Sequence, residues 1–214
     1  VRRRSTLNLE REIASLLAKR GGEDSTPQED SAIETALRRA IVTMWQTSIL
    51  RRARLGVSDE ITNALIHYDT TFLREIPRLH GAIEDALGER LPPFLRTGSW
   101  IGGDRDGHPF VSAEVLRDAM IKQSDKVISY YHGEVSALSQ ELSLDERLGE
   151  VSDAVKALVK SAGETQGHHQ GEPYRRALTG VLARLAATRA ALAGETVTGR
   201  PNPTPAEFAA DLDA

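Results

Sequence analysis

Apolar residues recur along this chain in steps of three and four, broken once by a long stretch with no period at all. From Ser5 to Arg20 the series Leu9, Ile13, Leu16 and Leu17 marks an amphipathic helix, and Gly21-Gly22 supplies a stop. Thr26-Pro27-Gln28-Glu29 joins an N-cap, a first-turn proline and a capping-box glutamate. It opens a helix that Ile33, Leu37, Ile41, Trp45 and Ile49 carry to about Arg54. Ser58 caps the next helix, whose stripe runs from Ile61 through Leu65, Tyr68, Phe72, Ile76, Leu79 and Ile83 to Leu87. Pro77 removes one backbone donor inside that stripe, which predicts a kink or a new start there.

Between Gly88 and Val111 the period disappears. Pro92-Pro93 followed by Phe94-Leu95-Arg96-Thr97 predicts at most one short strand, near 94–100. Ser112, with Glu114 in the first turn, opens a helix through Leu116, Met120, Val127, Tyr131, Val135 and Leu138 that continues past Gly133 towards Leu142. Ser143-Leu144-Asp145-Glu146 has the form of another capping box, with Leu148, Val151, Val155 and Leu158 facing inward behind it. Gly163 to Gly171 is polar loop. Pro173 opens a helix through Leu178, Val181, Leu182, Leu185 and Leu192 that Gly194 ends, and Thr204-Pro205-Ala206-Glu207 opens a last one. About seven helices without strand–helix alternation predict a mainly α chain and argue against an independent doubly wound or barrel domain. No repeat of about 20–50 residues suggests a solenoid. The chain begins at Val1 directly before Arg2-Arg3-Arg4, and its last helix has only about two turns before Ala214, so a section of a longer polypeptide is expected.

Composition narrows the classes. Of 214 residues, 27 are Lys or Arg and 31 Asp or Glu, so nucleic acid is not the default partner. With no cysteine, neither a disulfide framework nor a thiolate metal site is available, which suits a cytoplasmic protein. No apolar run approaches the roughly 20 residues of a membrane span, and the arginine-rich start lacks the apolar segment of a signal peptide.

The chemistry concentrates in the aperiodic stretch, at Gly98-Ser99-Trp100-Ile101-Gly102-Gly103-Asp104-Arg105-Asp106-Gly107-His108-Pro109-Phe110. Gly102, Gly103 and Gly107 around Asp104-Arg105-Asp106 suggest positive φ or close approach to a ligand or another backbone. A calcium loop fails on register: counted from Asp104, Pro109 stands where the loop needs glycine, and Val115 where it needs a bidentate glutamate. Neither the Walker pattern nor the dinucleotide fingerprint fits either. Two readings of the loop stay open. Arg105 can hold a carboxylate or phosphate through its planar fork, with Asp104 and Asp106 orienting it, or the three can form a network that only fixes the loop's shape. Elsewhere, Arg2 to Arg4 can attract a phosphorylated ligand or simply face water. Arg38, Arg39, Arg51, Arg52 and Arg54 do not share one helical face, and adjacent His168-His169 is a poor metal pair. No serine–histidine–carboxylate signature or nucleophile elbow is present.

The order of these features resembles the phosphoenolpyruvate carboxylases. The resemblance runs through Val1-Arg2-Arg3-Arg4-Ser5-Thr6, Trp45-Gln46-Thr47 to Arg51-Arg52, and Phe72-Leu73-Arg74-Glu75-Ile76-Pro77. It continues in the Gly98–Val111 block and in Glu172-Pro173-Tyr174-Arg175-Arg176 with Leu185 and Thr188-Arg189. The resemblance implies that residues 1–214 are a single incomplete helical region from the N-terminal half of a larger enzyme built around a parallel β/α (TIM-like) barrel. Any strand near 94–100 would belong to that barrel. The implied reaction is conversion of phosphoenolpyruvate and bicarbonate to oxaloacetate and phosphate, with Mg²⁺ or Mn²⁺, in a cytoplasmic homotetramer. By the same resemblance Asp104, Arg105 and Asp106 border the active site as catalytic candidates. Trp100, Gly102, Gly103 and Gly107 take the substrate-binding side of that loop, and Arg3 and Arg4 match arginines of an allosteric region. The family's Thr-Ala-His-Pro-Thr motif, its metal-binding carboxylates and its glycine-rich arginine loop are absent, so no metal ligand is expected in this chain, which alone should be inactive and depend on a C-terminal remainder. His108 stands where the family commonly has Asn, and Ser48-Ile49 where it commonly has an Asp-Glu pair. The competing reading is a stand-alone helical interaction or regulatory module without catalysis.

Overall fold

The computed structural model describes residues 4–20, 25–48, 56–106, 109–162, 169–202 and 204–213. Among these the chain is mainly α, with no strand. Backbone contacts divide it into two compact units, Val1–Asp59 and Glu60–Ala214.

In the first unit α1 (Arg4–Lys19) packs against α2 (Pro27–Gln46). The capping box forms as predicted: the Glu29 N–H donates to Thr26 Oγ1 at 3.3 Å, and Glu29 Oε2 accepts the Thr26 N–H at 2.9 Å. That backbone bond holds the Glu29 carboxyl below its ordinary pKa. α2 buries Leu37 and Ala40, and it ends at Gln46, short of the expected run to Arg54. The Thr43 and Thr47 hydroxyls donate back to the carbonyls of Arg39 and Thr43, and the Thr47 N–H turns to Met44 O. Such hydroxyl bonding competes with helix continuation. Residues 49–55 lie outside the described residues. α3 (Val57–His67) opens one residue before Ser58, where Asp59 Oδ2 accepts the Gly56 N–H at 3.2 Å.

In the second unit α3 buries Ile61, Leu65 and Ile66 and passes into a π-helical turn, Tyr68–Phe72, before α4 (Leu73–Leu87). The Leu73 N–H reaches Tyr68 O, five residues back. Pro77 cannot supply the donor that the Leu73 carbonyl would take four residues on, and the break in the helix falls one turn before the proline. α4 stops at Gly88 in the left-handed region, φ 73°.

Helix α5 (Ala113–Glu141) runs through Gly133 without interruption, capped by Ser112 as expected. It packs on α7 (Pro173–Ala193), and the core of the unit is Val135 against Leu178, Val181 and Leu185, with Ile128, Leu142, Leu182 and Phe208 around them. α6 (Asp153–Ser161) also packs on α7, where Gly180 admits a close approach: a Cβ there would lie 2.4 Å from Ala162 Cβ. α8 (Pro205–Leu212) starts at the Thr204 cap, sets Phe208 5.2 Å from the Tyr131 ring and pairs Asp211 with Arg184.

One expectation fails in this unit. The Ser143 capping box does not open a helix; α6 begins ten residues later, with Ser152 Oγ accepting the Val155 N–H at 3.1 Å. Asp145 is taken instead by Arg147, which donates its backbone N–H and its guanidinium to that carboxylate, while the Glu146 N–H bonds to Gly171 O. Leu148, expected inward, is 88% exposed. Residues 94–100 are irregular, within the expectation of at most one short strand there. A strand needs a partner ladder, and none of the described residues offers one.

Candidate functional site

The aperiodic stretch is anchored at both ends by side chains of the flanking helices. On the N-terminal side Glu84, largely buried, accepts the Leu91 N–H at 2.8 Å and pairs with Arg90. The Leu91 bond above all keeps the Glu84 carboxyl below its ordinary pKa, with Arg90 and His80 adding to it. His80 stacks on Phe94, ring centroids 5.3 Å apart. At the other end the Ser112 hydroxyl accepts the Val115 N–H and starts α5.

Between these anchors the loop shapes itself. The Trp100 carbonyl accepts the N–H groups of Gly103 and Asp104, both at 2.9 Å, and Ser99 Oγ accepts the Ile101 N–H at 3.3 Å. Asp104 Oδ1 accepts the Asp106 N–H at 3.1 Å, a local turn of the type aspartate favours. Gly102 is buried with φ 83°, and a Cβ there would meet Ala119 Cβ and Ile61 Cδ1, each at 2.8 Å. Both requirements exclude other residues. Gly103 is less constrained: its Cβ would lie 3.3 Å from Leu116 Cδ1.

Trp100, Gly102, Gly103 and Asp104 are thus brought together in one tight turn, with Asp106 tied to it. Arg105 is exposed and makes no hydrogen bond or ion pair with a described residue. The Asp-Arg-Asp network that would only fix the loop's shape therefore lacks its central member among the described residues; Asp104 and the backbone fix that shape. Trp100 and Phe110 stand beside it 77% and 74% exposed. The turn presents a guanidinium with no partner among the described residues, a carboxylate and an exposed indole, a set that could hold an anionic ligand.

Gly107 and His108 lie outside the described residues, as do Arg3 and His168. Arg4 begins α1. His169 is placed on Glu172, 3.0 Å away, and the same carboxylate receives Arg175. Among the described residues no group of three or more His, Cys, Asp or Glu side chains is arranged to hold a metal ion. No described helix is long and apolar enough to cross a membrane.

Sequence reasoning missed what lies beneath the loop. A cleft of about 170 Å³ is bordered by Thr97, Ser99 and Ile101 above and by Tyr68, Gln123 and Lys126 below. Lys126 crosses from α5 to Asp69 in the π turn at 2.8 Å. These partners are 57 positions apart, with no local pattern linking them. Other positions that carried the family resemblance turn out to hold helices together. Arg175 Nε donates to Ser139 O at 2.9 Å, capping α5, and Thr188 Oγ1 accepts the Asn202 N–H at 2.8 Å. Arg189 pairs with Asp125.

Comparison with known proteins bears out the likeness over the whole chain. The family described as phosphoenolpyruvate carboxylase matches residues 1–213. A phosphoenolpyruvate carboxylase of Rhodopseudomonas palustris strain BisA53 is 47% identical over all of this chain and 24% of its own length. The enzymes of that name from Azorhizobium caulinodans and Bradyrhizobium diazoefficiens are 47% and 46% identical, again over the whole chain and 25% and 24% of their lengths. The chain spans about a quarter of the length of the curated relatives it matches.

Proposed function

This chain belongs to the phosphoenolpyruvate carboxylase family, and we propose that it forms part of an enzyme that carboxylates phosphoenolpyruvate with bicarbonate to give oxaloacetate and phosphate. The observation that carries the reading is the Gly98–Asp106 loop, whose shape is held by its own backbone, by Asp104 and by the seat of Gly102, leaving Arg105 exposed and without a described partner. A reaction that handles a phosphoryl group and a developing enolate needs fixed positive charge facing those oxygens. Arg105 supplies one such fork. Asp104, Arg105 and Asp106 form the reactive edge of this wall, Trp100 and Gly103 its substrate-binding side, to which Gly107 is also assigned, while Gly102 serves that side from beneath by seating the turn. Arg3 and Arg4 are assigned to an effector region for phosphorylated ligands.

The two units make up one helical region of the longer enzyme. Mg²⁺ or Mn²⁺ would neutralise charge on the phosphoryl and enolate oxygens, held by ligands from the remaining length of the enzyme. That remainder, with its barrel, covers the exposed Trp100 and Phe110. A cytoplasmic homotetramer supplying oxaloacetate to the tricarboxylic acid cycle completes the reading.

The test is to assay phosphoenolpyruvate-dependent oxaloacetate formation by a longer polypeptide containing these residues beside residues 1–214 alone. Activity in the longer form only is expected. A longer form that folds and binds neither phosphoenolpyruvate nor bicarbonate would point instead to a non-catalytic helical module.

A further inference from the structure

The loop rests in a notch whose width is set by two side chains remote from its charged edge. Ile61 of α3 and Ala119 of α5 are 2% and 1% exposed, and they close on Gly102 from two helices. Their nearest atoms leave room for a glycine and nothing larger. Since the Trp100 carbonyl binds the Gly103 and Asp104 amides, a displacement of Gly102 carries the whole turn with it, Arg105 included. We propose that Ala119 is a positioning residue for the Trp100–Asp106 loop: its single methyl group, opposed by Ile61 Cδ1, fixes how deeply the turn sits and hence where Arg105 is presented. The consequence for turnover rests on the reading of this loop as an active-site wall.

A larger residue at 119 has no free space to enter, because the site is closed on both sides, so the movable partner is the loop. Ile61→Val removes the Cδ1 atom that faces Gly102 and reopens the notch from the opposite wall. Rescue by a substitution on a different helix separates positioning from mere packing loss, since a second large-to-small change in a core ordinarily adds damage.

The experiment compares Ala119→Val, and the milder Ala119→Ser, with and without Ile61→Val. In the 214-residue chain, hydrogen exchange of the Gly103 and Asp104 amides is read against core amides of α7. Exchange at the loop amides is expected to rise about tenfold relative to α7, as loss of one ordinary hydrogen bond implies, and to return towards the parent rate with Ile61→Val. In the longer, catalytically assayed polypeptide, kcat/KM is expected to fall by up to about 100-fold and to recover in the double variant. If loop amides and α7 amides move together in both Ala119 variants, or if Ile61→Val deepens the loop's loss, Ala119 does not position the loop and the proposal is overturned. Selective, rescued loop exchange alongside intact turnover leaves the seat standing and removes the active-site reading instead.

Discussion

Replacing Gly102 by alanine tests the local geometry most sharply, because two independent penalties meet at one atom. At φ 83° a non-glycine residue costs roughly 1–2 kcal/mol in backbone conformation. The new Cβ would stand 2.8 Å from both Ala119 Cβ and Ile61 Cδ1, an overpacking that costs about 1–3 kcal/mol in a closed site. The smaller entropy of the unfolded alanine chain offsets about 0.4–1 kcal/mol. A net loss of about 3 kcal/mol remains, or roughly 6–12 °C in Tm for a unit of this size. Gly103→Ala presses on the flexible end of Leu116 at 3.3 Å, stands at ordinary contact distance, 3.7 Å, from the Trp100 carbonyl oxygen and needs no positive φ, so it should cost under about 1 kcal/mol. Gly98→Ala meets nothing within 4 Å and should be neutral or stabilising by up to about 1 kcal/mol. Urea unfolding of the three variants, followed by circular dichroism, gives the order directly. A Gly102→Ala loss no larger than that of Gly103→Ala would refute the seat of the loop.

Two further outcomes follow from the corrected segment before α6. Ser152→Ala should cost about 1 kcal/mol by removing the real cap, whereas Ser143→Ala should stay within about 0.5 kcal/mol; chemical denaturation distinguishes them. The Asp145 carboxyl is held down to about 2, first by the Arg147 guanidinium and then by its backbone N–H. A folded value below the unfolded 3.8 means that the pair's contribution is complete above about pH 4 and lost as pH falls towards 2. Acid titration of the parent against Asp145→Asn should therefore show two curves that converge at the low end; a constant separation down to pH 2 would contradict this assignment.

Most of the helical frame was legible because caps and glycine stops are local chemistry. Thr26 with Glu29, Ser112, Pro173 with Gly194, and Thr204 all act where their spacing placed them. The failures have a common physical cause, which is competition from a partner the local pattern does not show. Ser143 sits in a sound capping box, yet Arg147 captures Asp145 and Gly171 captures the Glu146 amide. Phe94-Leu95 left room for one short strand; the segment is irregular, and His80 stacks on Phe94. The loop's composition pointed to Gly102 and Arg105, while the reason Gly102 must be glycine lies in Ile61 and Ala119, well away in sequence. Arg175 and Thr188 show the converse: residues that carry a family likeness and work in the structure as helix ties.

The central claim is that the loop presents Arg105 to an anionic substrate while other groups hold the loop's shape. Arg105→Ala in the longer, assayable polypeptide, with kcat, KM and Tm measured on the same preparation, tests it most directly. Loss of a preorganised charge at a developing anion predicts a fall in turnover of about 100- to 1,000-fold. An exposed side chain with no described partner predicts a change in stability within about 0.5 kcal/mol. Unchanged turnover per folded enzyme together with a lowered Tm would contradict the account and make Arg105 a structural residue.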